Sequence, residues 1–313
     1  MSTVSDLTSV PDVATQYCRI LSSDCGEAEK NKAWKILEQK MAVVPKGEVI
    51  IAGNDAELYS PQEESLAEDF LFEVESFYID RYAVSNEDYV KFISEGGYDN
   101  VTFWPEDVFS QVLQFVDSTG MPGPRHWKDG DYLKDTAKHP VVGVCWYEAN
   151  AYALWSGKLL PSCMQWQRAG DWPGDAGGSK YPWGNSFDPT RVNLWSDRAN
   201  GTVPVDHYVE GTTPNGVYQL IGNVWEWVAT LFECNDGTDG TRVVFEQPMA
   251  EIRGGAFDTY FSSQATCQFR TGQPLMLRAE NIGFRCCAAI ESLGLPSDPY
   301  AFLEDNLGED EVQ

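Results

Sequence analysis

The chain has 313 residues, 42% of them apolar and 13% aromatic, enough to fill a sizeable core. Its 22 Lys plus Arg stand against 48 Asp plus Glu, and the resulting charge of −26 repels phosphate backbones and anionic lipid heads. Nucleic acid and membrane surfaces are therefore disfavoured as partners. The 8 cysteines include no C-x-x-C pair and the 3 histidines no i, i+4 pair, which argues against a disulfide scaffold, a zinc ribbon and a histidine-rich metal centre. The opening residues MSTVSDLTSVPDVATQYCRI hold no apolar core of signal-peptide length, and no apolar run reaches the roughly 18 residues of a membrane span. These features predict a soluble, cytoplasmic protein.

In chain order, residues 1–45 come first as a helical extension. EAEKNKAWKILEQKM is rich in helix formers, with Trp34, Leu37 and Met41 on one stripe. From Lys46 the texture changes to short strand-like runs, GEVIIAG and FEVESFYID, broken at close intervals by Gly, Pro, Asn and Asp. Ser85 with Asp88 predicts a capped helix carrying Tyr89, Phe92 and Ile93 inward, and a further helix spans about Tyr147 to Ser156. Ser162 and Gln165 have the spacing of a capping box. EIRGGAF and NIGFRCCAAI read as two buried strands, and the tail AFLEDNLGEDEVQ is acidic and frayed. Long loops must satisfy their backbone groups somehow, and the 11 tryptophans, several beside Gly or Pro, offer indole area and an N–H donor for that purpose.

The ordered motifs SFYIDRYAVSNEDYVKF, HPVVGVCWYEANAYALWSGKLLPSCMQWQRAG, YPWGN, TTPNGVYQLIGNVWEW, IRGGAF and NIGFRCCAA resemble the domain of formylglycine-generating enzymes (sulfatase-modifying factors). That resemblance implies an α+β fold with little regular secondary structure, the C-type-lectin-like formylglycine-generating-enzyme fold, over residues 46–291. It leaves 1–45 as an extension and 292–313 as an acidic tail. The family's oxidases hold copper on two cysteines that follow the Gly-Gly pair. Here Gly254 and Gly255 are followed by Ala256 to Gln264 without a thiol, so no copper is expected. Cys267 and Cys286 match bridging cysteines of the family whose partner positions are here Ala169–Gly170 and Ala153. The iron-binding histidines of the superfamily's sulfoxide synthases also have no counterpart.

Two calcium sites are implied by the same resemblance. One maps on Glu226 with main-chain oxygens of Gln219, Gly222 and Val224, and the other on Asn193, Leu194, Asp197 and Ala199. For Glu226 a second reading stays open, in which the carboxylate only hydrogen-bonds the backbone. The loop Asp258, Thr259, Tyr260, Phe261 and Ser262, joined by Arg270, stands where the oxidases keep their reactive wall, and rings with adaptable hydroxyls suit recognition. The functional expectation is a binding or scaffold module for a protein or peptide. An oxygen- or metal-dependent oxidoreductase is the alternative, and a retroelement-type variable protein comes third.

Overall fold

The computed structural model describes residues 13–51, 70–171, 178–195, 201–233, 243 and 245–293. The acidic tail and the second half of the Asn193 loop lie outside them. Helices α1 (Tyr17–Leu21) and α2 (Glu27–Lys40) lead directly into strand β1 (Met41–Val44). Strands β2 (Gly47–Ile51) and β3 (Phe70–Val74) form a two-stranded antiparallel unit, and β4 (Phe77–Asp80) follows. After α3 (Asn86–Ser94), the single turn α4 (Phe109–Val112), α5 (Trp146–Trp155) and α6 (Cys163–Asp171) come β5 (Trp225–Leu231), β6 (Met249–Arg253), β7 (Arg270–Pro274), β8 (Ile282–Phe284) and β9 (Cys287–Ala289).

Two sheets organise the molecule. One has the order β1-β4-β9, all antiparallel, and the other β7-β6-β5-β8, in which β5 and β8 run parallel. NIGFRCCAAI is therefore not one strand: the chain leaves the second sheet at Phe284 and enters the first at Cys287. The boundary expected at residue 45 also moves. Met41 to Val44 pair residue for residue with Asp80 to Phe77, so β1 belongs to the domain, and α1 and α2 pack on the same sheet through Tyr17, Leu37, Met41, Tyr78 and Ala288. The described part of the extension thus spends its apolar face inside its own chain.

Local signals set several helix starts. The Ser85 hydroxyl accepts from the Asp88 N–H at 3.3 Å, and Ser162 and Gln165 exchange reciprocal bonds at 2.9 and 3.1 Å. At Gly157 the backbone has φ +73°, and a Cβ would stand 2.6 Å from the Arg19 nitrogen, so glycine is what lets α1 lie against the end of α5. An aromatic core made of Tyr89, Phe92, Tyr152, Trp155, Trp227 and Phe284 fills the space between α3, α5 and the second sheet.

Candidate functional site

The chain leaves β6 through Arg253, which is fully buried, and turns on two glycines at φ +96° and +79°. A Cβ on Gly254 would lie 2.3 Å from the Leu220 carbonyl oxygen, and one on Gly255 3.1 Å from Ala265. These close approaches anchor the segment to the loop before β5. Gly222 donates to the Gly254 carbonyl at 2.9 Å and Phe257 to the Asn223 carbonyl at 3.1 Å.

Beyond that anchor the segment divides. Thr259, expected to face a ligand, is 6% exposed; its hydroxyl accepts from the Ala256 N–H at 2.8 Å and its own N–H returns to the Ala256 carbonyl at 2.9 Å. It locks the turn and presents nothing. Tyr260 and Phe261 are 71% and 60% exposed, with ring centroids 5.1 Å apart at 86°. Asp258 is exposed and accepts from the Asn281 amide at 2.9 and 3.2 Å, while Ser262 opens a short 3-10 turn on the surface. Arg270 is not brought to this rim. It lies on β7 opposite Arg253, with its guanidinium 5.6 Å over Phe232, donating to the Glu233 carbonyl at 2.8 Å and 3.8 Å from Glu251. Sequence reasoning missed Trp195, which is 62% exposed and donates from its backbone to the Thr259 carbonyl at 3.3 Å. An isolated Trp in a loop carries no periodic signal, so only its tertiary position reveals it.

Behind the wall, Glu226 is 1% exposed and fully engaged. Arg285 grips it with two bonds at 2.8 and 2.7 Å, and the Trp166 indole donates at 2.7 Å. The remaining guanidinium donors go to the carbonyls of Asp80, Arg81 and Tyr218. All five N–H groups are thus used, and the pair is held as a buried bidentate fork. Calcium does not fit this carboxylate, because both oxygens already accept and a guanidinium occupies the cation's place. The reading in which Glu226 bonds only backbone also fails, since its partners are side chains. Gln219 spans the carbonyls of Pro204 and His207 at 2.9 and 3.1 Å and accepts from Asn223 at 2.7 Å, and Val224 is buried.

Asn193 differs. Its Nδ2 donates to the Gly201 carbonyl at 3.0 Å and to Asn223 Oδ1 at 3.1 Å, whereas its own Oδ1 is buried without a hydrogen-bond partner among the described residues. An orphaned amide oxygen is the donor type a hard cation takes. Leu194 is buried beside it, and Asp197 and Ala199 lie outside the described residues. No group of three His, Cys, Asp or Glu side chains suited to a metal is found among the described residues.

The thiols stand away from the wall's exposed rim. Seven described cysteines are free, and all but Cys25 are buried. Cys267, at the inner end of the wall, is completely buried, and burial pushes its thiol well above the ordinary value. The neighbours Cys286 and Cys287 enter two different core clusters, and burial lifts Cys287 to about 12.

A Gly-Gly wall backed by a buried Glu-Arg-Trp knot thus sits on two small sheets joined by long loops. The family model for the sulfatase-modifying factor enzyme 1-like domain matches residues 26–290, and the chain belongs to that family. It is similar to the inactive C-alpha-formylglycine-generating enzyme 2 of Bos taurus, 30% identical over 247 residues that make up 69% of this chain and 78% of that protein. Similarity to the formylglycine-generating enzyme of Thermomonospora curvata is 30% over 290 residues, covering 79% and 93% of the two chains. Among solved structures, PvdO from Pseudomonas aeruginosa superposes with a TM-score of 0.54 at 23% identity over 80% of this chain and 94% of that one, a likeness of fold.

Proposed function

We propose that this chain is a family member without copper chemistry, whose exposed aromatic wall binds a protein or peptide. The observation that carries the reading is the pair Tyr260 and Phe261, standing 71% and 60% exposed on a backbone fixed by Gly254 and Gly255. The family's oxidases place their thiols in this stretch; Ala256 to Gln264 contains none. Exposed rings on a rigid turn give contact area at small entropic cost, and their burial is worth roughly 25 cal/mol per Å². The enzymatic alternative, an oxidation resting on Cys267, Asp258 or the Cys286–Cys287 pair, has weaker support, because burial raises all three thiols above the range in which thiolate forms. Free cysteines suit a reducing, cytoplasmic setting. A structural Ca²⁺, if held, belongs at Asn193 rather than Glu226.

Selection of a displayed random peptide library on the wild-type protein tests the reading. Selected peptides are expected to lose about 30-fold in affinity, or about 2 kcal/mol, for the variant carrying Tyr260→Ala and Phe261→Ala. Binders indifferent to that change would refute the wall as the recognition surface. Tight Cu(I) binding, or oxygen-dependent conversion of a cysteine-containing sulfatase peptide, would refute the loss of copper chemistry.

A further inference from the structure

Away from the wall, the YPWGN motif builds a second open site. Tyr181 and Gly184 exchange backbone hydrogen bonds at 2.9 and 3.0 Å, and the Asn185 side chain accepts from the Lys180 N–H at 2.9 Å. Between these clamps Trp183 stacks on the buried Tyr181 at 5.3 Å and 7°, and its indole N–H is spent on the Ser186 carbonyl at 3.1 Å. The half-buried indole is therefore immobile, with one face and its only donor used internally. It lines a groove of about 520 Å³ together with Arg191, Val209, Glu210 and Thr212.

The lining selects the ligand class. Arg191 donates from Nε to Asp188 at 3.0 Å and from Nη1 to the Glu210 carbonyl at 2.6 Å, and its Nη2 makes no hydrogen bond among the described residues. Glu210 is exposed, and its carboxylate has no salt bridge among the described residues. The Thr212 hydroxyl donates to the Val209 carbonyl at 2.9 Å, which leaves its oxygen free to accept. The Arg191 guanidinium is already paired with Asp188 and the Glu210 carboxylate stands exposed, so the lining, like the chain's net charge of −26, repels an anion. One donor unused among the described residues, Arg191 Nη2, and the acceptors of Glu210 and Thr212 around an indole face match a neutral ring with an apolar face and several hydroxyls, which donate and accept, at its edge. A volume of this size lies within the roughly 300–1,000 Å³ of small-molecule sites. We infer that this groove binds a neutral saccharide, with Trp183 as platform and Arg191, Glu210 and Thr212 as edge contacts.

Maltotriose, cellotriose, chitotriose and mannotriose, each offered at up to about 10 mM, serve as probes in saturation-transfer NMR and calorimetry. At least one is expected to bind saturably, with transfer strongest at ring C–H protons. Trp183→Ala should weaken that binding by about tenfold or more. Glu210→Gln removes a side chain that no hydrogen bond among the described residues ties to the fold and should weaken it by several-fold, so the inference stays testable if the Trp183 variant does not fold. Absence of saturable binding by all four sugars would overturn it. Undiminished binding in either folded variant, or transfer that vanishes with the wall substitutions instead, would overturn it equally.

Discussion

The inner and outer parts of the ten-residue segment Arg253 to Ser262 obey different rules. Inside, Arg253 stacks 5.3 Å from Trp166 and donates to Glu251, Gln167 and the Cys267 carbonyl, and Trp166 in turn donates to the Glu226 carboxylate that Arg285 grips. Outside, Tyr260 and Phe261 touch each other and solvent. The difference teaches that the machinery holding the wall and the groups displayed on it are separable. The support can be kept for stability while the displayed residues change their chemistry.

The sharpest way to break that comparison is to remove the charge at its centre. Glu226→Gln leaves Arg285 buried with no anionic partner, and breaking such a pair on one side costs about 3–5 kcal/mol. Denaturant unfolding is expected to show this loss equally with and without chelator. A loss that chelator abolishes would restore calcium to this carboxylate. Adding Arg285→Met to Glu226→Gln should recover part of the loss, because the stranded charge is gone.

Asp171 sharpens the same contrast, since it is a buried carboxylate near Cys267 that, among the described residues, lacks the kind of fork Glu226 enjoys. Burial raises it from 3.8 to about 6, although the nearby amides of Gln167 and Gln268 and the charges of Arg168 and Arg253 favour its ionised form. The folded state then binds the extra proton between those two values, so stability falls as pH rises through the window and the full penalty stands above about pH 6. The shift amounts to about 3 kcal/mol at most. Asp171→Asn should stabilise the protein by up to that amount at pH 8 and progressively less toward pH 4, read from urea midpoints across pH. A gain that does not vary with pH would show that charge burial is not its cause.

Gly254→Ala comes next in size. Its Cβ meets the Leu220 carbonyl oxygen at 2.3 Å, a rigid backbone atom, and φ is +96°, so strain of about 1–3 kcal/mol is expected. Gly184→Ala serves as its control, for φ is +122° there but nothing lies within 4 Å of the added carbon. The steric share of the Gly254 cost is the difference between the two melting shifts. Equal shifts would mean that the close approach to Leu220 contributes nothing.

Legibility in the sequence followed the range of the interactions. Ser85 with Asp88 and Ser162 with Gln165 are contacts three residues apart, and the sequence spacing placed both helix starts correctly. The family motifs also carried the fold, which the match over residues 26–290 shows. What escaped was tertiary. Glu226 and Arg285 are 59 residues apart, and nothing near either one says that they meet, so the carboxylate read as a cation ligand. The extension looked separate because its helix formers differ in texture from the strands after Lys46, yet β1 pairs with β4 across a sequence gap of more than thirty residues. Thr259 looked like a displayed hydroxyl, and only the turn geometry shows its oxygen pointing back to Ala256.

The smallest expected effect falls on the outer end, and the separability of support and display depends on it. Tyr260 and Phe261 bury little in the free protein, their ring contact is with each other, and neither side chain forms part of the three core clusters. Substitution at such surface sites usually changes stability by less than about 0.5 kcal/mol. Because the two rings touch, their contributions need not add, so the test is a cycle of Tyr260→Ala, Phe261→Ala and the double variant, followed by urea midpoint. Each variant is expected to match the wild type within about 0.5 kcal/mol, with a coupling between the rings no larger than that. A loss of about 2 kcal/mol or more in the double variant would place the rings among the groups that hold the wall. The outer end would then be an extension of the inner one, and its exposed area would no longer argue for a partner.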